Sequence, residues 1–285
     1  MTGVREREKQ RMKQTFDIGG ELTVRRLGFG AMRITGEGIW GWPKDRDAAK
    51  RLLRRAVEIG VNLIDTSDAY GPETSEYLLA EALHPYEGVV IATKGGLERS
   101  GPDEWSTNGR PEHLRIACHN SLRRLEVERI DLYQLHAIDD DVPLEESVGA
   151  LVDLQKEGKI RHIGVSNFPV PALERAQKIA KIVTVQNRFN LSDRKHEAVV
   201  DHCEAHGIGF IPWYPLATGA LTGSDELEAL ARKYDASAGQ IALAWLLRRS
   251  PVMLPIPGTS SIEHLEENFA AEGVALSDED FEALS

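Results

Sequence analysis

Four side chains suited to acid–base chemistry follow three successive apolar runs of the chain. Asp65 ends the first of these runs, and Tyr70 lies five positions further on. Lys94 and His136 directly follow the next two runs. If the three runs are parallel strands of a closed barrel, their carboxyl ends open on one face. The sequence therefore predicts that a carboxylate, a phenol, an ammonium and an imidazole share one cavity.

These groups together suit proton donation to an oxygen atom. A tyrosine phenol titrates near ~10, and a lysine ammonium beside Tyr70 should lower that pKa by stabilising the phenolate. Asp65 paired with Lys94 would keep the ammonium in place and charged. His136, across the cavity, could hydrogen-bond a substrate oxygen. We therefore expect Tyr70 to protonate an oxygen while hydride adds to a carbonyl carbon.

A second set of side chains follows the later runs and could hold a hydride carrier. Ser166, Asn167 and Gln186 offer hydroxyl and amide groups for a nicotinamide carboxamide, and Trp213 offers a flat face for its ring. A loop and a helix start supply backbone N–H groups and hydroxyls for phosphate; they contain Leu216, Thr218, Gly258, Thr259, Ser260 and Ser261. The alternative for residues 258–261 is an ordinary helix N-cap.

Eight apolar runs, each followed by a helical pattern, predict the scaffold. The predicted strands are residues 27–32, 61–65, 89–93, 130–135, 160–165, 182–186, 208–213 and 252–256. The predicted helices are residues 45–59, 73–83, 111–125, 144–157, 170–180, 194–205, 225–234, 237–249 and 261–270. Continuous apolar strands are buried on both faces, so the fold class is α/β and the expected architecture a (β/α)8 TIM barrel.

A two-glycine turn within residues 16–24 predicts an N-terminal β-hairpin before the barrel. A doubly wound open sheet is the alternative architecture. Gly28-Phe29-Gly30 lacks the third glycine of a dinucleotide-binding fingerprint, and the next helix starts only near residue 45, so the sequence favours the barrel. We expect a single barrel domain over residues 15–285 and a charged, disordered tail over residues 1–14, with a short solvated helix as the alternative.

Composition and charge limit the possible partners. The hydrophobic content of 41% with 28% charged residues is typical of a soluble globular protein. A net charge of −11 disfavours nucleic acid and anionic membranes as partners. Residues 1–14 lack the apolar region of a signal peptide, and two cysteines offer no disulfide framework. We expect a cytoplasmic protein, monomeric or a small homo-oligomer, acting on a small molecule.

The predicted strand ends do not favour a metal site. They carry one carboxylate and one histidine, whereas a metal-dependent barrel enzyme needs several such ligands together. His202 and His206 lie one helical turn apart, but the glutamate between them is misplaced for a metalloprotease motif. We interpret that segment as a solvated helix face.

In its motifs the chain resembles the aldo-keto reductases over residues 15–285. Asp65, Tyr70, Lys94 and His136 match the catalytic tetrad of that family in order and spacing. Residues 164–168 and 185–187 match its carboxamide-binding segments, and Pro215-Leu216 follows its ring-stacking position, where Trp213 replaces a common tyrosine. Residues 256–261 with Glu267 and Asn268 match its segment around the adenosine phosphate and adenine.

The resemblance implies NADPH-dependent reduction of aldehydes or ketones to alcohols, with Tyr70 as the proton donor. Gly258 and His264 stand where members with a strong NADP preference often carry lysine and arginine, so NADH is also possible. Residues 26–32, 84–86 and 258–261 are most similar to a bacterial subgroup that includes pyridoxal reductases. A cofactor-binding regulatory subunit with little turnover is the alternative function.

Three loop tryptophans, Trp40, Trp42 and Trp105, could wall a pocket for an aromatic or apolar carbonyl compound. The alternative is that they seal gaps between barrel and helices. Because few residues follow the last predicted helix, we expect an open pocket that accepts several substrates.

Overall fold

The computed structural model describes residues 14–216 and 225–285, in which strands and helices alternate along the chain. The strands are β1 Thr15–Ile18, β2 Leu22–Arg25, β3 Phe29–Gly30, β4 Leu63–Asp65, β5 Val90–Gly95, β6 Leu97–Gly101, β7 Glu104–Thr107, β8 Ile130–Leu135, β9 Ile160–Ser166, β10 Ile182–Arg188 and β11 Gly209–Trp213. The α-helices are α1 Arg46–Glu58, α2 Thr74–Leu83, α3 Pro111–Arg124, α4 Leu144–Lys156, α5 Val170–Gln177, α6 Glu197–His206, α7 Asp225–Lys233, α8 Ala238–Arg249, α9 Ile262–Ala270 and α10 Asp278–Ala283. Residues 1–13 of the predicted tail lie outside the described residues.

Seven strands form one parallel sheet in the order β11-β10-β9-β8-β5-β4-β3. Each strand except β3 and β4 pairs over four or more register positions, and in the short pair Gly30 lies opposite Asp65. Helices cover the outer face of the sheet. One apolar cluster joins the outward-facing strand residues to these helices. A second cluster fills the interior. The predicted α/β barrel class is confirmed.

The hairpin of β1 and β2 closes the amino end of the barrel. Ile18, Leu22 and Val24 are buried and pack against inward-facing residues of the barrel strands. Lys181, which directly precedes β10, donates a hydrogen bond at 2.9 Å to the carbonyl of Gly19 in the hairpin turn. Because the hairpin blocks this end, the carboxyl ends of the strands form the accessible face.

The predicted eighth strand is not a regular strand, although its residues close the ring. Phe210 donates to the carbonyl of Val252 at 2.8 Å and accepts from Leu254 at 2.7 Å. On the other side, Gly28 donates to the carbonyl of Pro255 at 2.9 Å. Proline has no N–H to donate to a ladder, so pairing stops at Pro255. The segment therefore forms one isolated bridge to β11, between Met253 and Phe210, and a single hydrogen bond to Gly28 on its other side.

Other boundaries also differ from the prediction. The first barrel strand is only Phe29–Gly30, because the chain turns into a 3₁₀ helix at Ala31–Ile34. The antiparallel hairpin of β6 and β7 and the final helix α10 were not predicted. Both are polar and partly exposed, so neither gives a strong apolar period. In the part of the chain that the structure describes, no helix is both long and apolar enough to cross a membrane.

Candidate active site

The ammonium of Lys94 lies at the centre of the site, fully buried near the end of β5. It donates to Asp65 Oδ1 at 2.6 Å, to the carbonyl oxygen of Thr66 at 2.8 Å and to Tyr70 Oη at 3.0 Å. An ammonium has three hydrogens, so these three contacts fix its position. Burial alone lowers the pKa of Lys94, but Asp65 and Tyr70 outweigh burial and raise that pKa above its ordinary value. Lys94 is therefore charged at neutral pH.

Two glutamines hold the second oxygen of the Asp65 carboxylate. Asp65 Oδ2 accepts from Gln186 Nε2 at 2.7 Å and from Gln134 Nε2 at 3.3 Å. These partners come from β10 and β8, so the contacts cross the inside of the barrel. Gln134 Oε1 in turn accepts from Thr184 at 3.3 Å. With Lys94 on Oδ1, the buried carboxylate has a partner on each oxygen, which a buried charge requires.

Tyr70 lies in the turn that follows β4. Its backbone N–H donates to the carbonyl of Ser67 at 3.2 Å, and its carbonyl accepts from Ser75 at the start of α2 at 3.1 Å. Burial raises the pKa of the phenol, Lys94 opposes this, and Asp65 reinforces it, so the net direction is upward. The expectation of a lowered pKa was therefore wrong. The phenol is protonated at neutral pH, and Lys94 lies where it would stabilise the phenolate once the proton leaves.

His136 directly follows β8, and its ring lies edge-on to the ring of Tyr70, with centroids 5.9 Å apart at an interplanar angle of 80°. Its Nδ1 is 3.1 Å from Ser67 Oγ, so Nε2 is the ring nitrogen left to face the cavity. Burial and the Lys94 charge hold the pKa of His136 well below its ordinary value. The imidazole is therefore neutral at physiological pH.

A cavity of about 390 Å³ opens above these groups. Asp65, Tyr70 and His136 line it, while Lys94 lies beneath the surface. Six of the predicted cofactor residues also line it, namely Ser166, Asn167, Gln186, Trp213, Leu216 and Gly258. The strand ends therefore bring the proton-donating groups and the amide set to one cavity.

The Asn167 amide links the segment of His136 to Ser166 and Trp213, which are predicted to bind the cofactor. Its Nδ2 donates to the carbonyl of His136 and to Ser166 Oγ, both at 3.1 Å, and its Oδ1 accepts from the indole N–H of Trp213 at 3.1 Å. The backbone of Asn167 has a φ of 63°, a left-handed conformation that asparagine tolerates better than most residues. Trp213 is thus oriented by the segment that carries His136.

The segment predicted to bind phosphate, residues 258–261, begins at Gly258 in the cavity lining. A Cβ at Gly258 would lie 2.7 Å from the carbonyl oxygen of Gly30, so a side chain there would force the two segments apart. Thr259 Oγ1 accepts from Ser261 N at 3.0 Å, and Ser261 Oγ accepts from His264 N at 3.3 Å as the N-cap of α9. Ser261 therefore caps α9, and phosphate binding by residues 258–261 stays a prediction.

The remaining predicted cofactor residues lie outside the cavity lining. Ser260 and His264 are exposed, Glu267 is half-buried and Asn268 is buried, all at or in α9. Thr218 lies outside the described residues. The roles of these residues remain predictions.

The three predicted pocket tryptophans are separated in the structure. Trp105, on β7, lines the cavity. Trp105 and Trp40 share a contact with Arg99, whose guanidinium is 3.7 Å from the Trp105 ring centroid and 5.6 Å from that of Trp40. Trp42 is 44% exposed and packs beside Tyr77 of α2, with centroids 6.2 Å apart. Of the three, only Trp105 lines the cavity, and a pocket role for Trp40 and Trp42 stays a prediction.

Arg99 connects the loops around the cavity opening through hydrogen bonds. It donates to five backbone carbonyls at 2.9 to 3.3 Å, those of Gly38, Ile39, Ala69, Gly101 and Glu104. These carbonyls belong to the loop after β3, the loop that carries Tyr70, and the β6–β7 hairpin. Arg99 therefore holds Trp105 in place relative to Tyr70.

Sequence reasoning missed Gln134, Ser67, Asp68 and Arg99. Gln134 gave a usable signal, since an amide within an apolar strand buried on both faces must find a buried partner. Ser67 and Asp68 stood within the Tyr70 motif, but nothing in their types shows which way their side chains point. Arg99 lies in a charged stretch without periodicity.

The histidine pair on α6 makes no ligand cluster. The rings of His202 and His206 stack with centroids 4.1 Å apart, and His206 Nδ1 lies 2.8 Å from the carbonyl of His202. Within residues 14–216 and 225–285, no group of three or more His, Cys, Asp or Glu side chains could hold a metal ion.

Comparison with known proteins assigns the chain to a family. The sequence model of the Aldo/keto reductase family matches residues 26–285. An uncharacterised oxidoreductase of Schizosaccharomyces pombe is 53% identical over 93% of this chain and 87% of its own length. The pyridoxine 4-dehydrogenase of Escherichia coli is 42% identical over 93% of this chain and 95% of its own length.

Solved structures agree with this assignment. A glycerol dehydrogenase of Gluconobacter oxydans has a TM-score of 0.88 at 30% identity, covering 95% of this chain and 94% of its own. An aldo-keto reductase of Klebsiella pneumoniae, solved in complex with NADPH, has a TM-score of 0.82 at 28% identity, covering 95% and 93%. The chain belongs to the aldo/keto reductase family and is an oxidoreductase, as the sequence motifs indicated.

Proposed function

We propose that this enzyme reduces aldehydes and ketones to alcohols with NADPH, and that Tyr70 supplies the proton. One observation carries the proposal: Lys94 Nζ bridges Asp65 and Tyr70 Oη beneath a cavity that His136 also faces. A buried phenol with an ammonium on its oxygen can release a proton as negative charge forms on a nearby substrate oxygen.

The cavity residues fit a nicotinamide carboxamide group by group. A carboxamide has one acceptor oxygen and two N–H donors. Both Nδ2 hydrogens of Asn167 are used within the protein, so its Oδ1 would serve as an acceptor. Gln186 likewise gives its nitrogen to Asp65 and would offer its oxygen. The Ser166 hydroxyl, which accepts from Asn167, would donate to the carboxamide oxygen.

The indole of Trp213 would stack on the nicotinamide ring, and the start of α9 would face the phosphates. NADP(H) is the cofactor that this family uses and that the Klebsiella pneumoniae relative contains. NADH remains possible because His264, and not an arginine, stands at the predicted 2′-phosphate position.

When bound, the reduced cofactor supplies the hydride. His136 would donate from Nε2 to the carbonyl oxygen and direct it toward Tyr70. As the carbon gains the hydride, Tyr70 would give its proton to that oxygen, and the resulting phenolate would be held by Lys94. Asp65, fixed by Gln134 and Gln186, keeps Lys94 charged and in contact with the phenol.

The substrate would be a small carbonyl compound with an aromatic or apolar body. Trp105, Leu97 and Met32 line the cavity, and such surfaces bind flat apolar groups. Pyridoxal is a sensible candidate, because the Escherichia coli relative is a pyridoxine 4-dehydrogenase. Cytoplasmic location and a monomeric or small homo-oligomeric state remain predictions from the sequence.

The test is NADPH oxidation with a panel of aldehydes that includes pyridoxal and nitrobenzaldehyde, alongside a separate titration of NADPH binding by tryptophan fluorescence. Turnover of at least one aldehyde, with alcohol formed in equal amount, supports the proposal. NADPH binding without turnover of any carbonyl compound would contradict it and favour a regulatory subunit. The same panel with NADH measures the cofactor preference.

A further inference from the structure

A second carboxyl group reaches His136 through a serine. Ser67 Oγ lies 3.1 Å from His136 Nδ1 and 3.0 Å from Asp68 Oδ1. It also accepts a hydrogen bond from the backbone N–H of Ala69 at 3.1 Å. Ser67 is fully buried, and His136 is 7% exposed. The three side chains therefore form a continuous path from the cavity to Asp68, which lines a separate surface groove.

The number of hydrogens allows only two arrangements of this path while His136 is neutral. A serine hydroxyl has one hydrogen and two acceptor positions, and Ala69 occupies one acceptor position. If Asp68 is ionised, Ser67 must donate to it, and His136 must then donate from Nδ1 to Ser67. If Asp68 is protonated on Oδ1, the oxygen that faces Ser67, it donates to Ser67, and Ser67 donates to Nδ1 of His136.

The two arrangements present opposite chemistry to the cavity. A neutral imidazole carries one proton, on either Nδ1 or Nε2. In the first arrangement Nε2 has no hydrogen and would repel a carbonyl oxygen. In the second arrangement Nε2 carries the hydrogen that a carbonyl oxygen needs.

We propose that Ser67 and Asp68 are positioning residues that set the tautomer of His136, so that Nε2 offers an N–H to substrate only while the Asp68 carboxyl is protonated. This inference rests on the proposed function, because it concerns the group that would orient the carbonyl. It adds a proton switch outside the four predicted catalytic residues.

The surroundings of Asp68 place this switch in the physiological pH range. Burial and the Glu76 carboxylate raise the pKa of Asp68 to about 7, although the Ser67 hydrogen bond and Arg124 oppose the rise. The Lys94 charge and burial keep His136 itself neutral there. The other titratable groups facing the path are Tyr70 on its own loop, Glu73 at the N-cap of α2, Glu98 and Arg99 of β6, His113 and Cys118 of α3, and Tyr133 of β8.

The main experiment measures kcat/KM for aldehyde reduction from about pH 5.5 to about pH 9. In the wild type we expect a fall centred near pH 7, to a plateau about tenfold lower, the usual cost of losing one charge-assisted hydrogen bond. In Asp68→Asn, with Nδ2 at the position of Asp68 Oδ1, the amide donates to Ser67 at every pH, so the profile should stay high and flat. Glu98→Gln removes a charge from the same groove without touching Ser67 and should keep the wild-type profile.

A second measurement does not depend on turnover. Nitrogen NMR of histidine-labelled enzyme distinguishes a protonated Nδ1 from a protonated Nε2. The His136 proton should move from Nε2 to Nδ1 as the pH rises through the same range, and in Asp68→Asn it should stay on Nε2. Ser67→Ala should abolish the pH dependence in both measurements.

The proposal is overturned if Asp68→Asn keeps the wild-type fall in kcat/KM, or if the His136 tautomer does not change with pH. It is also overturned if His136 becomes doubly protonated across this range, because the fall then belongs to the imidazole alone. If no aldehyde is reduced at any pH, the proposed function fails, while the NMR titration still tests the path on its own.

Discussion

Two polar networks meet at the cavity. They differ in whether the residue types alone determine which group donates and which accepts each hydrogen bond. In the Lys94 network the ammonium can only donate and the Asp65 carboxylate can only accept, and both are fully buried. In the His136 network, His136, Ser67 and Asp68 can each donate or accept. The first network therefore has one stable arrangement and suits a fixed electrostatic task. The second has two arrangements and suits a group whose donor must be set by its surroundings.

The difference predicts unequal responses to mutation. Removing a member of the Lys94 network leaves a buried charge without its partner, which is costly for both folding and chemistry. Changing a member of the His136 network alters the balance between two neutral forms. The following predictions use that contrast. Those on activity run from the largest expected effect to the smallest, and one on stability alone follows them.

Lys94→Met should lower kcat/KM for aldehyde reduction by about a thousandfold, because the phenolate then forms without a neighbouring positive charge. It should also lower stability by about 3 kcal/mol, since Asp65 stays buried and unpaired. Steady-state kinetics and urea unfolding check the two effects. The double variant Lys94→Met with Asp65→Asn removes the unpaired charge. It should regain most of the stability and none of the activity; recovery of activity would contradict the assigned role of Lys94.

Gln186→Met and Gln134→Met form a matched pair. Both remove an amide from Asp65 Oδ2, so each should lower kcat by about tenfold. Only Gln186 lines the cavity, so only Gln186→Met should also weaken NADPH binding, by about tenfold. A fluorescence titration measures the dissociation constant. Equal effects of both variants on NADPH binding would show that Gln186 does not contact the cofactor.

Arg99→Lys should raise KM for aromatic aldehydes about fivefold and leave kcat within about twofold. A lysine cannot bind five carbonyls in one plane, so Trp105 and the loop that carries Tyr70 would no longer be held together. Kinetics with an aromatic and a small aliphatic aldehyde check the effect. Trp105→Ala serves as the control and should raise the same KM; an unchanged KM in Trp105→Ala would assign the effect to the loops alone.

Asp68→Asn should stabilise the protein at alkaline pH, relative to its effect at acid pH, by up to about 4 kcal/mol, since one pH unit of pKa difference corresponds to about 1.4 kcal/mol. The folded pKa of Asp68, about 7, lies above its ordinary value of 3.8, so the folded state binds more protons between these values. Stability therefore falls as pH rises across this window and is constant above it. Asparagine does not ionise, so its advantage should grow between about pH 4 and about pH 7. Urea unfolding at several pH values measures it, and an advantage independent of pH would contradict the raised pKa.

The contrast between the networks also explains what the sequence could predict. Asp65, Lys94 and His136 follow buried strands, and parallel strands in a ring bring their ends together by geometry alone. Gln134 and Gln186 point into the barrel for the same reason. Ser67 and Asp68 lie in a turn, where side-chain direction depends on φ and ψ angles that no periodicity reveals. Their contact with His136 therefore appears only in the structure.

Helix starts were predicted correctly where a capping side chain fixes them. Asp45 and Ser237 cap α1 and α8 through hydrogen bonds to Ala48 N and Gln240 N, and both helices begin as expected. The closing segment was predicted as a strand because it is apolar, but Pro255 limits its pairing. The direction of the pKa shift of Tyr70 could not be predicted, because burial raises this pKa while the charge of Lys94 lowers it, and the sequence does not show which effect is larger.

The most direct test of the central claim compares the wild type with Tyr70→Phe, using NADPH deuterated at the transferable hydrogen. Mass spectrometry of the alcohol shows whether deuterium reaches the carbonyl carbon, and a fluorescence titration measures cofactor binding. We expect deuterium on that carbon in the wild type. In Tyr70→Phe we expect at least about a thousandfold slower transfer with unchanged NADPH binding. Transfer at the wild-type rate without the phenol would contradict the assignment of Tyr70 as the proton donor.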